Sequence, residues 1–374
     1  MAHPEFPLDS SLIYLNHAAV APWPKRTAIA IKAFADENIS QGAADYPSWL
    51  RSESKLRKQL KEILNAPSTD DIALVKNTSE ALSFVAYGLD WSPGDNIVSS
   101  NEEFPSNRIP WQSLSEKGVE FREVELAGTK DPEEALFTLV NENTRLITIS
   151  SVQFASGNRL NLEKIGNFCR QNNVLFCIDA IQSLGALEFD VQRYQADFVM
   201  ADGHKWLLGP EGLGVFYTTP AARDKLRLTQ FGWHMIEAAG YYENVPWKAA
   251  KSARRFECGS LNMLGIMALS ESLSLLLEMG MDSVEQKVLD NSRFLVEQIQ
   301  SRDDLELLST EQQDRCSGII VFRHQSINNN KLFQLLKDRG VICAQRGGGI
   351  RLSPHFYTDR IQLKKVFEIV PISH

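Results

Sequence analysis

Five short apolar runs, each continuous rather than alternating, set the tightest limit on how this chain can fold. They are DNIVSS (95–100), RLITISSV (145–152), VLFCID (174–179), DFVMA (197–201) and GVFYT (214–218). A strand with one solvated face alternates apolar and polar residues, so unbroken runs point to strands covered on both faces. Helix-like segments lie between them, among them EEALFTLVNEN (133–143) and NLEKIGNFCRQNN (161–173). That order predicts parallel strands joined by helical crossovers, a doubly wound and mostly parallel α/β sheet.

After residue 260 the character changes. LGIMALSESLSLLLEMG (264–280) and MDSVEQKVLDNSRFLVEQIQS (281–301) are long helix patterns. GIIVFR (318–323), NNKLFQLLKDRG (329–340), VICAQ (341–345) and GIRLS (349–353) then form a small α+β set. A boundary is expected near 245–260. The expected division is an N-terminal segment (1–20) packing with the small domain, a large α/β domain (21–255) and a small α+β domain (256–374).

Composition excludes several classes. With 43% hydrophobic and 23% charged residues, the 374-residue chain is neither disordered nor a membrane protein by composition. No apolar run approaches the roughly 20 residues that cross a bilayer. The start, MAHPEFPLDSS, lacks the basic and apolar regions of a secretory signal. Five cysteines (169, 177, 258, 316, 343) are scattered and lack C-x-x-C spacing, so neither a disulfide framework nor a metal site is expected. A net charge of −8 provides no electrostatic footprint for nucleic acid. The expectation is a cytoplasmic protein without nucleic-acid or membrane partners.

Ligands of open parallel sheets bind at the carboxyl ends of strands. VLFCID ends at Asp179, with Gln182 shortly after. DFVMA runs into Asp202, Gly203, His204 and Lys205, and RLITISSV into Gln153 and Phe154. A buried carboxylate must be paired or neutralised. A desolvated lysine has a lowered pKa and becomes a nucleophile. Each residue alone has an ordinary reading, Asp179 as a turn or cap residue and Lys205 as a solvated amine. Taken together, with His204 and Gln182 beside them, they suit pyridoxal 5′-phosphate (PLP). That cofactor forms an imine with a lysine and needs a carboxylate at its ring nitrogen.

The stretch VLFCIDAIQSLGALEFDV…ADFVMADGHKWLLGPEGLGVFY resembles the core of the class V aminotransferase family, which contains cysteine desulfurases, selenocysteine lyases, kynureninase and isopenicillin N epimerase-like proteins. The resemblance runs from YLNHAA (14–19) to GIRLSPHFYTD (349–359) and implies a fold type I PLP enzyme working as a homodimer. It implies that Lys205 is the Schiff-base lysine, Asp179 the partner of the ring nitrogen, and Gln182 the donor to the ring's phenolic oxygen. His204 adjoins the lysine as a catalytic and cofactor-binding candidate. In NEEFPSN (101–107), Phe104 stands where many relatives stack a histidine on the ring; an aromatic face can stack without titrating. In NTSEAL (77–82), Thr78 and Ser79 are implied phosphate ligands at a helix start. Asp202 replaces a serine common near the phosphate and is expected to point elsewhere, toward His204 or a backbone amide. In RRFECGSLN (254–262), Ser260 is implied to reach the phosphate of the neighbouring subunit, and Arg255 is expected to pair with Glu257. Arg351 resembles the clamp for the substrate α-carboxylate, with Arg346 a competitor.

The implied chemistry starts when a small amino acid displaces Lys205 from its imine and the freed amine removes the Cα proton. The main expectation is an aminotransferase-like enzyme. A C–S lyase or an epimerase are alternatives on the same scaffold, and a non-catalytic scaffold is the alternative of another class. Cysteine desulfurase is set aside at this point, because the interval VICAQRGGGIR is short and Cys343 lies in an apolar strand pattern. The S-x-x-K match SESK (52–55) lies on a charged helix pattern, and GPEGLG (209–214) precedes a strand, so neither supports a hydrolase or a nucleotide site. Trp233, His234, Tyr46 and Trp49 are candidate pocket walls that core packing would explain equally well.

Overall fold

All five apolar runs become strands of one seven-stranded sheet. The computed structural model describes residues 3–241, 243 and 246–372; residues 1–2 and 373–374 of the expected terminal segments lie outside the described residues. The chain opens with β1 (Ile13–Tyr14). The large sheet then comprises β2 (Ile72–Val75), β3 (Asn96–Ser100), β4 (Glu120–Val124), β5 (Thr144–Ser150), β6 (Leu175–Asp179), β7 (Phe198–Asp202) and β8 (Gly214–Thr218), in the order β2-β8-β7-β6-β5-β3-β4. From β7 across to β4 every pairing is parallel.

Alternate residues of these strands feed two separate cores, which is why the runs are unbroken. Ile147, Ile149, Phe176, Ile178, Val199 and Ala201 pack on one face with Ile165 and Leu273. Leu146, Cys177, Phe198 and Met200 pack on the other with Leu82, Val85 and Trp111. Both faces are covered by helices, as a parallel sheet requires.

Three features depart from the sequence expectation. β8 runs antiparallel to both neighbours, because the stretch 203–213 holds no helix and a parallel return needs a crossover of about a dozen residues or more. The helix expected over 133–143 spans only Pro132–Phe137. Beyond it, the Asn141 and Thr144 side chains accept from nearby backbone amides, a local competitor to the helix ladder. The sequence reading also passed over both edge strands: β2, whose apolar run IALV is only four residues long, and the charged β4.

A smaller antiparallel sheet follows: β9 (Leu305–Leu307), β10 (Ile320–His324), β12 (Ala344–Arg346) and β13 (Gly349–Leu352), in the order β12-β13-β10-β9, with β11 (Val341–Ile342) pairing β1 instead. The helix Met281–Gln300 joins the two bodies: Val284 and Val288 enter the core of the large sheet, Leu295 and Ile299 that of the small one. The N-terminal segment runs between them. Leu15 accepts from the Ser353 amide at 2.8 Å, and the Ala21 amide donates to His204 O at 2.8 Å. Among the described residues no single helix is long and apolar enough to cross a membrane.

Candidate active site

The carboxyl ends of β6 and β7 lie side by side, with Asp179 in register with Met200. β6 therefore ends on a carboxylate, while β7 carries the chain through Asp202 into a tight turn. Gly203 is required there, since a Cβ would lie 2.8 Å from Leu213 O. The turn delivers Lys205 back over the strand ends.

Asp179 and Lys205 line one cavity of about 280 Å³, together with Thr78, Phe104, Gln182 and Arg351. The Asp179 carboxylate is buried and accepts one hydrogen bond, from the Ile181 amide at 3.0 Å. Burial pushes its pKa up to about 7 against the pull of that amide; the charge of Glu103 adds to the rise, and the Lys205 ammonium draws it partly back. Lys205 is buried and its pKa falls to about 8 by desolvation, opposed by Asp179. Each charge makes the other tolerable, and among the described residues neither has a hydrogen-bond partner besides the Ile181 amide.

The wall beside the lysine is aromatic. Lys205 Nζ lies 5.6 Å from the Phe104 ring centroid, and Phe104 meets Phe154 edge-on at 5.1 Å. Gln182 donates from Nε2 to Ala18 O at 3.1 Å and accepts from Trp206 Nε1 at 3.0 Å. One amide hydrogen of Gln182 is left for the cavity. Asp202 Oδ1 stands 3.0 Å from His204 Nδ1, so this carboxylate faces the imidazole.

At the opposite end, the helix Thr78–Gly88 begins on the cavity. Asn77 caps it by accepting from the Glu80 amide at 2.9 Å. Thr78 Oγ1 is buried with no partner, and Ser79 Oγ donates to Ser106 Oγ at 2.9 Å. A buried hydroxyl left unpaired beside a positive helix end suits an anion. Arg351 closes the third side from β13. It is buried, donates to Phe154 O at 2.7 Å, and keeps its Nε buried without a partner. Its pKa is lowered to about 10 by burial and by the charge of Arg346, which lines the same cavity.

Several residues singled out from the sequence stand elsewhere. Ser260 is exposed and lines a different cavity, of about 460 Å³, with Tyr46, Trp233 and His234. Trp49 is buried against Phe34 and donates to Glu37. Arg255 does not pair with Glu257. It reaches Asp224 at 3.2 Å, while Glu257 accepts from Arg57 and the Leu74 amide; the turn Ala253–Phe256 sends the two side chains apart. Cys343 is buried, and burial pushes its thiol up to about 12.

Sequence reasoning passed over Glu103, whose only signal was an acid next to Phe104. It is buried and accepts from the Ser150 amide, Gln153 Nε2 and Asn107 Nδ2. Burial raises its pKa, and these bonds oppose the rise.

The sequence profile described as "Aminotransferase class-V" matches residues 13–365. A protein of Methanothermobacter thermautotrophicus named "Probable cysteine desulfurase" is 30% identical over 388 residues, 96% of this chain and 94% of that one. One of the same name from Pyrococcus abyssi is 28% identical, covering 95% of this chain and 92% of that one. Among solved structures, a complex of the cystine C–S lyase C-DES with cysteine persulfide superposes with a TM-score of 0.91 at 24% identity, covering 98% of this chain and 99% of that one.

These relatives correct one expectation. Cysteine desulfurase was set aside on the short interval before Arg351, yet curated relatives over nearly the whole chain carry that name. The physical reason is plain. The exclusion rested on one short interval, whereas the likeness to these relatives extends over nearly the whole chain.

The cavity passes the test for PLP on its own chemistry: its lining holds an orphaned hydroxyl at a helix start, a desolvated amine with a carboxylate, and a guanidinium whose Nε is unpartnered. PLP is the cofactor of this chain, and the large sheet with the cavity at its carboxyl edge is the fold type I architecture. A profile match that spans nearly every element described above, with relatives of equal extent, makes the chain a member of the class V aminotransferase family.

Proposed function

We propose that this PLP-dependent enzyme acts on a small sulfur-bearing amino acid and cleaves its carbon–sulfur bond. The observation that carries the reading is the convergence of Asp179, Lys205 and Arg351 on one cavity; the choice of bond is supported by the relatives named cysteine desulfurase and C–S lyase.

The residues divide the work. Bound PLP supplies an electron sink for charge that develops at the substrate Cα. Thr78 Oγ1 and the amides that open its helix hold the phosphate, with Ser79 beside them. Asp179, with one oxygen unbonded, would hold the ring nitrogen protonated, and the spare amide hydrogen of Gln182 would be available to the phenolic oxygen. Arg351 Nε orients the α-carboxylate as a charge-assisted donor. Lys205 Nζ takes the Cα proton, a role suited to an amine whose pKa has come down to about 8. His204, held by Asp202, backs the turn that carries the lysine. Phe104, on the wall beside Lys205, would stack on the ring.

The working unit in this reading is a homodimer, with Ser260 reaching the phosphate of the neighbouring site. Exposed Tyr46, Leu50, Phe231 and Trp247, in the region around Ser260, support a covered face. The absence of disulfides among the described cysteines supports a reducing, cytoplasmic setting.

The test combines a colour and a product. Purified protein should be yellow, and borohydride should bleach it and leave the cofactor mass on Lys205. With L-cysteine or L-cystine, alanine plus protein-bound sulfur marks desulfuration, whereas pyruvate, ammonia and a sulfur product mark elimination. Transfer of the amino group to a keto acid with the C–S bond intact would overturn the proposal.

A further inference from the structure

The cavity end occupied by Arg351 holds a second guanidinium, and the two share a face by construction. In the β12–β13 hairpin, Ala344 stands opposite Arg351 and Arg346 opposite Gly349. Directly opposed residues point to the same side of a sheet, and so do residues two apart on one strand. Arg346 and Arg351 are therefore diagonal neighbours on one face, with backbones about 7–8 Å apart. Gly347 and Gly348 form the turn with φ of 59° and 78°, a left-handed pair that keeps the hairpin tight and its register set. Both arginines line the cavity.

Among the described residues, neither Arg346 nor Arg351 has a carboxylate within ion-pair distance, and Arg346 makes one side-chain hydrogen bond, to Gln345 O at 2.8 Å. The two acids of the wall stand beside other groups: Asp202 Oδ1 lies 3.0 Å from His204 Nδ1, and Asp179 lies at the end of β6 with the Ile181 amide. Burial lowers the pKa of Arg351, and the charge of Arg346 lowers it further. Thr78, with its unpartnered hydroxyl at a helix start, offers the cofactor's phosphate a holder on a different element from the hairpin.

Resting on the reading of the site as one for small amino acids, we infer that the substrate carries a second anionic group on its side chain. Arg351 takes the α-carboxylate, and Arg346, exposed at the cavity mouth, takes a distal carboxylate or an acid group of like charge. The substrate class is thus a dianionic amino acid, and Arg346 is the residue that selects it over neutral analogues of the same size.

Two isosteric probes test this on the PLP-loaded enzyme: S-carboxymethyl-L-cysteine and its neutral amide, S-carbamoylmethyl-L-cysteine. Each is titrated against the absorption of the bound cofactor, which reads binding without turnover. The acid is expected to bind about tenfold more tightly than the amide, the size of one charge-assisted hydrogen bond. Arg346→Gln should erase that preference and Arg346→Lys should keep most of it. Equal binding of the two probes by the wild type, or an equal loss of both in Arg346→Gln, overturns the inference. A response to L-cysteine without any charge preference overturns it alone, whereas an absorption that responds to no amino acid overturns the parent reading along with it.

Discussion

Glu103 and Asp179 are both buried carboxyls near the carboxyl edge of the large sheet, yet they are kept in opposite ways. Glu103 is surrounded by donors from Ser150, Gln153 and Asn107, and Asn107 in turn accepts from Trp111 and Thr148. Asp179, a strand end away, receives only the Ile181 amide and faces a cavity. A satisfied network stiffens a core. An acid left short of partners is a cost that folding alone does not explain. The difference separates the polar groups that build this protein from those that wait for a ligand, and Thr78 Oγ1 and Arg351 Nε belong with Asp179 on the second side.

The strongest attempt to break the distinction is Lys205→Ala. Turnover should fall on the order of 10³-fold or more, while urea unfolding of the cofactor-free protein should hold steady or improve, because a desolvated amine has gone. Asp179→Asn comes next. Its expected loss is about 10²–10³-fold in turnover, again without a stability penalty in the cofactor-free protein; a clear destabilisation would move Asp179 into the structural group.

The same variant has a pH signature. The folded pKa of Asp179 is raised to about 7, so its stabilising contribution is present below the ordinary carboxylate range and is lost as pH climbs toward 7. Lys205, lowered to about 8, makes stability rise again between there and the ordinary lysine range. The cofactor-free wild type should therefore show a shallow minimum between about 7 and 8 in urea titrations. Asp179→Asn should flatten its acid side, and an unchanged curve would contradict the coupling.

Glu103→Ala should reverse the pattern, with stability falling by about 2–4 kcal/mol as several buried donors lose their acceptor and turnover following only as far as folding does. The smallest effect belongs to Thr78→Val, near-isosteric and confined to one hydroxyl. PLP affinity should weaken about tenfold, roughly one hydrogen bond, measured by equilibrium dialysis, with the unfolding midpoint of the cofactor-free protein unchanged.

Much of this contrast is invisible along the chain. Asp179 and Lys205 were legible because each follows an apolar run, and the strand-end rule needs only local order. Glu103 was not, since an acid three residues past a strand reads like any turn residue until Asn107, Ser150 and Gln153 gather round it. Ser260 could be picked out by its motif, but the folded chain keeps it on the surface outside the Lys205 cavity. Arg255 was assigned to the nearest acid in sequence and found Asp224 instead.

What the sequence by itself determined is therefore the local part: which runs become strands covered on both faces, where the long helices lie, and which strand ends carry a carboxylate and an amine. Those follow from side-chain period and short-range sterics, which a linear chain already contains. Tertiary structure alone decided that β8 turns back antiparallel, that Asp202 faces His204, and that Arg346 joins Arg351 on one wall of the cavity. Each of these depends on which segments meet in space or on how a tight turn aims its side chains, and a one-dimensional pattern specifies neither.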